Sequence, residues 1–157
     1  MISTRIVSLT PQMARELAPR IAAIDPWRRL RISEAALAAM LGRDEPDHIK
    51  RAIIVDDAPA GALVIHRDWL LGPYLRHLCV LPSSSGKGVG AEALAWLIDY
   101  ARREKDRNVW LCVSAFNGGA QRFYRRHGFE VVAILDDLVR AGEAEILMRR
   151  RIAPTAV

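Results

Sequence analysis

Two periodicities alternate along the chain. Apolar residues at every second position, or in short unbroken runs, mark strands at "TRIVSL", "RAIIVDD", "AGALVIHRDWL" and "YLRHLCVL". Between them the apolar spacing changes to three and four, which marks helices. Met13, Leu17, Ile21 and Ile24 recur on one helical face behind Thr10 and Pro11, an N-cap followed by proline at the first helical position. Pro19 is expected to break or kink this helix, because proline lacks the N–H that the preceding turn requires. A second helix should start from the cap Ser33, bury Leu37, Met40 and Leu41, and end at Gly42. The two helices would then form a hairpin early in the fold.

Further along, "DAPA" is expected to turn the chain between the second and third strands, through its aspartate and proline. The strand "YLRHLCVL" runs into the glycine loop "PSSSGKGVG", after which Ala93, Leu94, Leu97, Ile98 and Ala101 mark an apolar helix face. "NVWLCVSAF" reads as a buried strand. Asn117 can cap a short helix in "GGAQRFYRRHG", with Gly128 as its C-cap and Phe129 as a core anchor, and "FEVVAIL" and "AEILMRR" are the closing strands. The order is βααβββαβαββ, an α/β (α+β) pattern. With 157 residues and no repeat or low-complexity linker, the chain reads as one domain, 1–157, large enough to bury about two thirds of its unfolded surface.

Composition narrows the function classes. The two cysteines, Cys79 and Cys112, lie in separate apolar runs without a CxxC pair, which favours a reducing, cytoplasmic setting and needs no metal. No apolar run approaches the ~20 residues that span a bilayer, and the N-terminus has no basic-then-apolar leader. The net charge of +5 is gathered in clusters at Arg102, Arg103 and Lys105, at Arg125 and Arg126, and at Arg149 to Arg151. Such clusters suit a polyanion. Nucleic acid is disfavoured as the main partner, since only 6% of residues are aromatic and none forms a stacking pattern on a strand. A phosphate-bearing cofactor needs fewer charges.

The loop "VLPSSSGKGVGAEALAWL" has the form strand, small-residue turn, helix. A Walker P-loop would need glycine at Leu81 and Ser or Thr at Gly88, so that motif fails. A dinucleotide fingerprint would need an acidic end to the next strand, where "VSAFN" stands instead. What remains is a loop whose backbone N–H groups from Gly86 to Ala91 converge on an anion at the helix start. The bland alternative is a flexible glycine turn.

Two stretches in register resemble one family. "LCVLPSSSGKGVGAEAL" is similar to the acetyl-CoA motif [QR]-x-x-G-x-[GA] of the GNAT superfamily of N-acyltransferases, and "SAFNGGAQRFYRRHGFE" to its second motif, N-x-x-A-x-x-x-Y-x-x-x-G-F. The resemblance covers Ile53 to Met148. It implies a mixed, mostly antiparallel sheet of about seven strands flanked by four helices, with the fourth and fifth strands splayed. It also implies acetyl-CoA as cosubstrate, with no metal. The implied cofactor contacts are Ser85, Gly86, Lys87, Gly88, Val89, Gly90 and Ala91 at the pyrophosphate, Leu78, Cys79 and Val80 along the pantetheine arm, and Asn117 at a pantetheine amide. Lys87, with arginines such as Arg122, Arg125 or Arg126, would neutralise phosphate charge. A backbone N–H near Val80 would stabilise the oxyanion, and Tyr124 would protonate the departing thiolate. The competing reading of Tyr124 is packing, in a buried stripe with Ala120, Phe123 and His127.

The chain departs from the family pattern at two places. Ser85 stands where Gln or Arg is usual, and Tyr74 and Cys112 occupy the positions where members carry a glutamate base. Other candidates for the base are His77, Glu145, Glu34 and Asp25. Cys112 as an acyl-carrying nucleophile is the weaker reading, because it sits in an apolar strand with no histidine patterned near it. The missing glutamate favours a less basic amine, since an α-amino group at pKa ~8 needs less help than a lysine at ~10.4. The acceptor groove is expected between residues 24–41 and 136–143, with Trp27, Trp69, Asp136 and Asp137 as contacts. The expected activity is transfer of acetyl from acetyl-CoA to a primary amine by direct attack, in a small molecule or a protein. The alternative is a noncatalytic acyl-CoA-binding or sensing module; homodimerisation is left open.

Overall fold

The computed structural model describes residues 2–153. Strand β1 (Thr4–Ser8) is followed by α1 (Pro11–Ala22) and α2 (Glu34–Gly42), then by β2 (His48–Val55), β3 (Ala58–His66) and β4 (Tyr74–Val80). A short 3-10 turn, Pro82–Ser84, leads to α3 (Val89–Arg103), and β5 (Asn108–Ser114), α4 (Gly118–Arg126), β6 (Glu130–Asp136) and β7 (Ala144–Arg151) complete the described chain. The seven strands form one sheet in the order β1-β2-β3-β4-β5-β7-β6. Every neighbouring pair is antiparallel except β4 and β5.

That exception makes the cleft. The parallel pairing of β4 with β5 consists of Tyr74 opposite Trp110 and Leu75 opposite Leu111. Beyond Leu75 the two strands part, as the sequence resemblance implied, and β4 has no strand partner on that side. β4 also carries an irregularity against β3: Val64 pairs with His77 and Ile65 with Leu75, so Arg76 is an extra residue. An inserted residue reverses the side-to-side alternation. His77 and Cys79 consequently face the same side as Val64 and Ala62, while Leu75 and Leu78 face the other.

Each side of the sheet has its own core. Leu94, Leu97, Ile98 and Ala101 of α3, with Tyr124 of α4, pack on Leu63, Ile65, Leu75, Val109, Leu111 and Met148. On the opposite side Ala14, Leu17, Ala18 and Ile21 of α1 and Leu37 and Leu41 of α2 pack on Ala62, Val64 and Cys79. Because β3 is covered on both faces, residues 60 to 65 are continuously buried, which is why its sequence reads as an unbroken apolar run.

Helix signals in the sequence act largely as expected. Thr10 Oγ1 accepts from the Met13 N–H at 3.2 Å, Ser33 Oγ from Ala36 at 3.0 Å, and Asn117 Oδ1 from Ala120 at 3.1 Å. Gly128 takes a left-handed φ of 87° just past α4, and Phe129 is fully buried. Two expectations are corrected, for Pro19 and for the β2–β3 turn. Pro19 does not interrupt α1, which continues to Ala22. Its ring lies on the exposed face, where water can satisfy the carbonyl that loses its partner. α2 ends at Gly42 as expected, and the next residue, Arg43, leaves in extended conformation. The β2–β3 turn is made by Asp56 and Asp57, at φ 47° and 66°, and not by Pro59, which lies inside β3 opposite Ile54 at an irregular step of the ladder. Adjacent left-handed residues suit a two-residue hairpin, and aspartate tolerates that region.

Candidate active site

The parted strands open a cleft of about 1060 Å³ that runs from the start of α3 across β4 to the segment between α1 and α2. At one end, Ser85, Gly86, Gly88, Gly90 and Ala91 form the wall. Gly88 is the N-cap of α3 at φ 81°, and no side chain caps the helix. The first-turn N–H groups therefore lack an internal partner and point a partial positive charge at the cleft. A Cβ built at Gly86 or Gly88 meets nothing within 4 Å, so these glycines are required by their positive φ rather than by crowding. An anion with several oxygens fits this end, in keeping with acetyl-CoA as a cosubstrate.

The middle of the cleft is walled by Leu78, Cys79 and Val80 on one side and by Asn117, Ala120, Phe123 and Tyr124 on the other. The Asn117 oxygen is occupied by its helix cap, which leaves its amide N–H₂ as the group free to face a ligand. Tyr124 is buried, with Phe123 and Phe129 rings at 5.2 and 5.7 Å, and still reaches the cleft surface. Burial raises its phenol above the ordinary value, so it is protonated at any working pH.

Two of the expected cofactor residues have their side chains engaged elsewhere. Lys87 and Val89 are absent from the cleft wall: the Lys87 ammonium donates to the Ser83 carbonyl at 3.0 Å, and the Val89 side chain is packed in the core with Ile53 and Ala93. Of the three arginines considered for phosphate charge, Arg126 borders the cleft and Arg122 and Arg125 do not.

The other end of the cleft is made by Ile24, Asp25, Pro26 and Trp27 from the α1–α2 segment, Leu37 and Met40 of α2, Leu138 and Val139 from the β6–β7 loop, and Tyr74, His77, Cys112, Ser114 and Glu145 from the sheet. Three expected contacts lie off the cleft wall. Trp69 is turned away, packing on Tyr74 and Trp110 at 5.0 and 5.6 Å, and Asp137 is used internally, accepting from the Gly142 N–H at 2.7 Å. Asp136 is also off the wall; the cleft-facing residues of that loop are the apolar Leu138 and Val139, both half exposed or more.

Among the candidate bases, Glu34 is exposed at the start of α2 and does not border the cleft. Asp25 does, but it is paired with Arg28 by two hydrogen bonds of 3.2 and 3.3 Å. His77 is buried beneath the Trp27 ring, 4.9 Å away, and its Nε2 has no partner among the described residues. Burial, aided by the Arg76 charge, lowers its pKa to about 4. Glu145 is 5% exposed and accepts a hydrogen bond from Ser114 Oγ at 2.8 Å. Burial raises its pKa, the Ser114 bond opposes that, and Glu143 adds to it. Burial likewise raises the Cys112 thiol, with Glu145 adding and the neighbouring Tyr74 hydroxyl opposing, so this sulfur is a poor nucleophile. Sequence reasoning could place Glu145 on a strand but could not see that β7 sets it opposite Ser114 at the mouth of the split.

A seven-stranded mixed sheet parted between its parallel pair, with two helices on each face, is the architecture of the GNAT N-acyltransferases. Residues 14–129 match the model of the Acetyltransferase (GNAT) family, and the chain belongs to that family. No curated protein matches the chain. Among solved structures, the ribosomal-protein-S18-alanine N-acetyltransferase from Escherichia coli superposes with a TM-score of 0.77 at 22% identity, covering 98% of this chain and 97% of that one. Ard1 from Thermoplasma volcanium gives 0.78 at 19%, covering 96% and 98%. An aminoglycoside 6′-N-acetyltransferase complexed with coenzyme A gives 0.73 at 16%, covering 100% and 99%. At these identities the likeness speaks for the fold. No described helix is long and apolar enough to cross a membrane, and the described residues contain no group of three or more His, Cys, Asp or Glu placed to hold a metal ion.

Proposed function

We propose that the chain is a single-domain, acetyl-CoA-dependent N-acetyltransferase that transfers the acetyl group directly to a primary amine. The observation that carries this reading is one continuous cleft with an uncapped helix start at one end and the Tyr124 phenol along its middle. The N–H groups from Gly86 to Ala91 would hold the pyrophosphate, and the open edge of β4 at Leu78 to Val80 would align the pantetheine arm, with Asn117 on the opposite wall. Acetyl-CoA-bound and CoA-bound structures exist among proteins of similar fold, one called a streptothricin acetyltransferase and one an aminoglycoside 6′-N-acetyltransferase. A cytoplasmic setting fits the two cysteines, Cys79 and Cys112, both free thiols.

The chemistry needs a neutral amine, a stabilised oxyanion and a proton for sulfur. As the amine attacks, the carbonyl carbon becomes tetrahedral and its oxygen gains charge, which a backbone N–H near Val80 would stabilise. When the C–S bond breaks, Tyr124 donates its proton to the thiolate. Its phenol is a weak acid in this enclosed wall, but the same surroundings make a thiolate equally hungry for a proton, so the gap between them stays small. The experiment is CoA release measured against a panel of amines together with calorimetric CoA binding. CoA binding with amine-dependent release supports the enzyme; CoA binding with no release from any amine favours the noncatalytic module, and absence of CoA binding removes both.

A further inference from the structure

Of the two carboxylates on the cleft wall, Asp25 has its own cation, Arg28 at 3.2 Å, and Glu145 has none among the described residues. Its immediate surroundings do not supply one. Ser114 and Cys112 reach it from β5, Tyr74 from β4 and Glu143 from its own approach loop, all neutral or negative at working pH. Farther along the wall, His77 is neutral and Arg76 is turned to Glu45 and His48, at 3.4 and 3.1 Å. A carboxylate 5% exposed without a positive partner is costly, and a ligand cation would offset that cost. The mouth beside it is apolar, with Trp27 on one lip and Leu138 and Val139 on the other.

We propose that Glu145 receives the acceptor's ammonium group and takes its proton, that Ser114 positions the carboxylate, and that the accepted amine is carried on an apolar stem lying along Trp27, Leu138 and Val139. This rests on the N-acetyltransferase reading above. The ammonium gives one proton to Glu145, and the freed nitrogen lone pair forms the C–N bond. As the C–S bond breaks, sulfur takes the Tyr124 proton, and the proton remaining in excess on nitrogen returns to the Tyr124 oxygen. Glu145 then sheds its proton to solvent after the amide and CoA leave. The raised pKa of the buried carboxyl brings it closer to that of the amine, which makes it a better base than an exposed glutamate.

The test uses CoA thioethers whose S-alkyl chain ends in an ammonium group, compared with uncharged S-alkyl chains of the same length. In the wild-type protein the ammonium end should improve affinity by about 10-fold or more, the range of a charge-assisted contact. Glu145→Gln should abolish that advantage and leave CoA affinity unchanged. With the S-alkyl length fixed, affinity should also grow with an apolar tail placed on the ammonium nitrogen, by up to about 4-fold per added methylene. Ser114→Ala should shift the acid limb of the ammonium advantage to higher pH, because it removes the bond that favours the carboxylate. With the wild-type protein alone, the advantage should fade as pH drops and Glu145 gains a proton. An equal advantage in Glu145→Gln, or one independent of pH, overturns Glu145 as the receptor; affinity that does not rise with the length of the nitrogen's tail overturns the apolar stem. Failure of CoA itself to bind the wild-type protein removes the acetyltransferase reading and this proposal with it.

Discussion

At one end the cleft wall comes from a single short stretch of sequence, Ser85, Gly86, Gly88, Gly90 and Ala91, and what it offers is backbone. At the other end the wall comes from Ile24 to Trp27, Leu37 and Met40, Tyr74 and His77, Cys112 and Ser114, Leu138 and Val139, and Glu145, six separated segments that offer side chains. Backbone N–H groups are the same in any residue, so the cofactor end constrains sequence only where φ or volume demands a small residue, and that demand repeats as a pattern. Side chains at the acceptor end are free to vary with the substrate, and their meeting depends on strand register. The first end is therefore recognisable and says nothing about the acceptor; the second specifies the acceptor and is recognisable only in three dimensions.

The sharpest break between the two ends should come at the residue standing where they meet. Tyr124→Phe keeps the ring on Phe123 and Phe129 and removes the proton donor. Turnover should fall by roughly 10²–10⁴ while CoA affinity holds. Rapid-quench kinetics on an accepted amine checks this. A parental rate with chemistry still limiting would make the tyrosine a packing residue and send the sulfur proton to it from solvent.

At the cofactor end, Gly88→Val should weaken CoA binding by roughly 10²-fold, from αL strain of about 1–2 kcal/mol together with a branched side chain where the pyrophosphate approaches. Gly90→Ala is the control. Gly90 lies inside α3 and its added methyl would meet Phe123 at an ordinary 3.5 Å, so calorimetry should show little loss. Equal losses would mean that crowding along the wall, not the left-handed turn, controls the site.

Legibility followed the same division. Strand and helix order, the three helix caps and the glycine loop were readable because each is decided within a few residues. Pro19 and Pro59 were misplaced because tertiary context decides them: one rides on the solvent face of α1, the other sits at a ladder irregularity. Trp69, Asp136 and Asp137 all lie off the acceptor end of the wall, Trp69 packed onto Trp110, Asp137 bonded within its own loop and Asp136 exposed. The face of His77 could not be read either, since simple alternation fails across the extra residue Arg76. Tyr74 and Cys112 in place of the usual glutamates were visible, but the carboxylate that lies beside them comes from β7, 31 positions beyond Ser114.

The acceptor end should also be the acid-sensitive end. His77 has its pKa lowered to about 4 by burial, so between that value and the ordinary 6.5 the unfolded chain binds a proton that the folded one refuses. Stability is then full above about pH 6.5 and is lost as pH falls toward 4. From pH 7 to pH 5 the loss is about 2 kcal/mol. His77→Leu removes the titration and the unpartnered Nε2 together, so urea midpoints for the variant should change less over the same interval. If the two proteins lose stability in parallel over that interval, His77 is not the source; Glu45 and Asp47, whose pKa values are lowered by Lys50 and His48, withdraw stability only below about pH 5.

The smallest effect is expected from the charge nearest the glycine loop. The Lys87 ammonium is bonded to the Ser83 carbonyl at 3.0 Å and lies off the cleft wall, so its contribution to a bound phosphate is that of an exposed charge, reduced by screening over ~8–10 Å. Lys87→Met should weaken CoA by about 2- to 5-fold, the scale of an exposed ion pair, and the difference should fade as salt is added. Dephospho-CoA separates the phosphates. If Lys87 serves the 3′-phosphate, the variant and the parent should bind dephospho-CoA equally; if it serves the pyrophosphate, the variant should lose as much with dephospho-CoA as with CoA. A loss near that of Gly88→Val would show that the cofactor end depends on a side chain after all, and the contrast between a backbone end and a side-chain end would no longer hold.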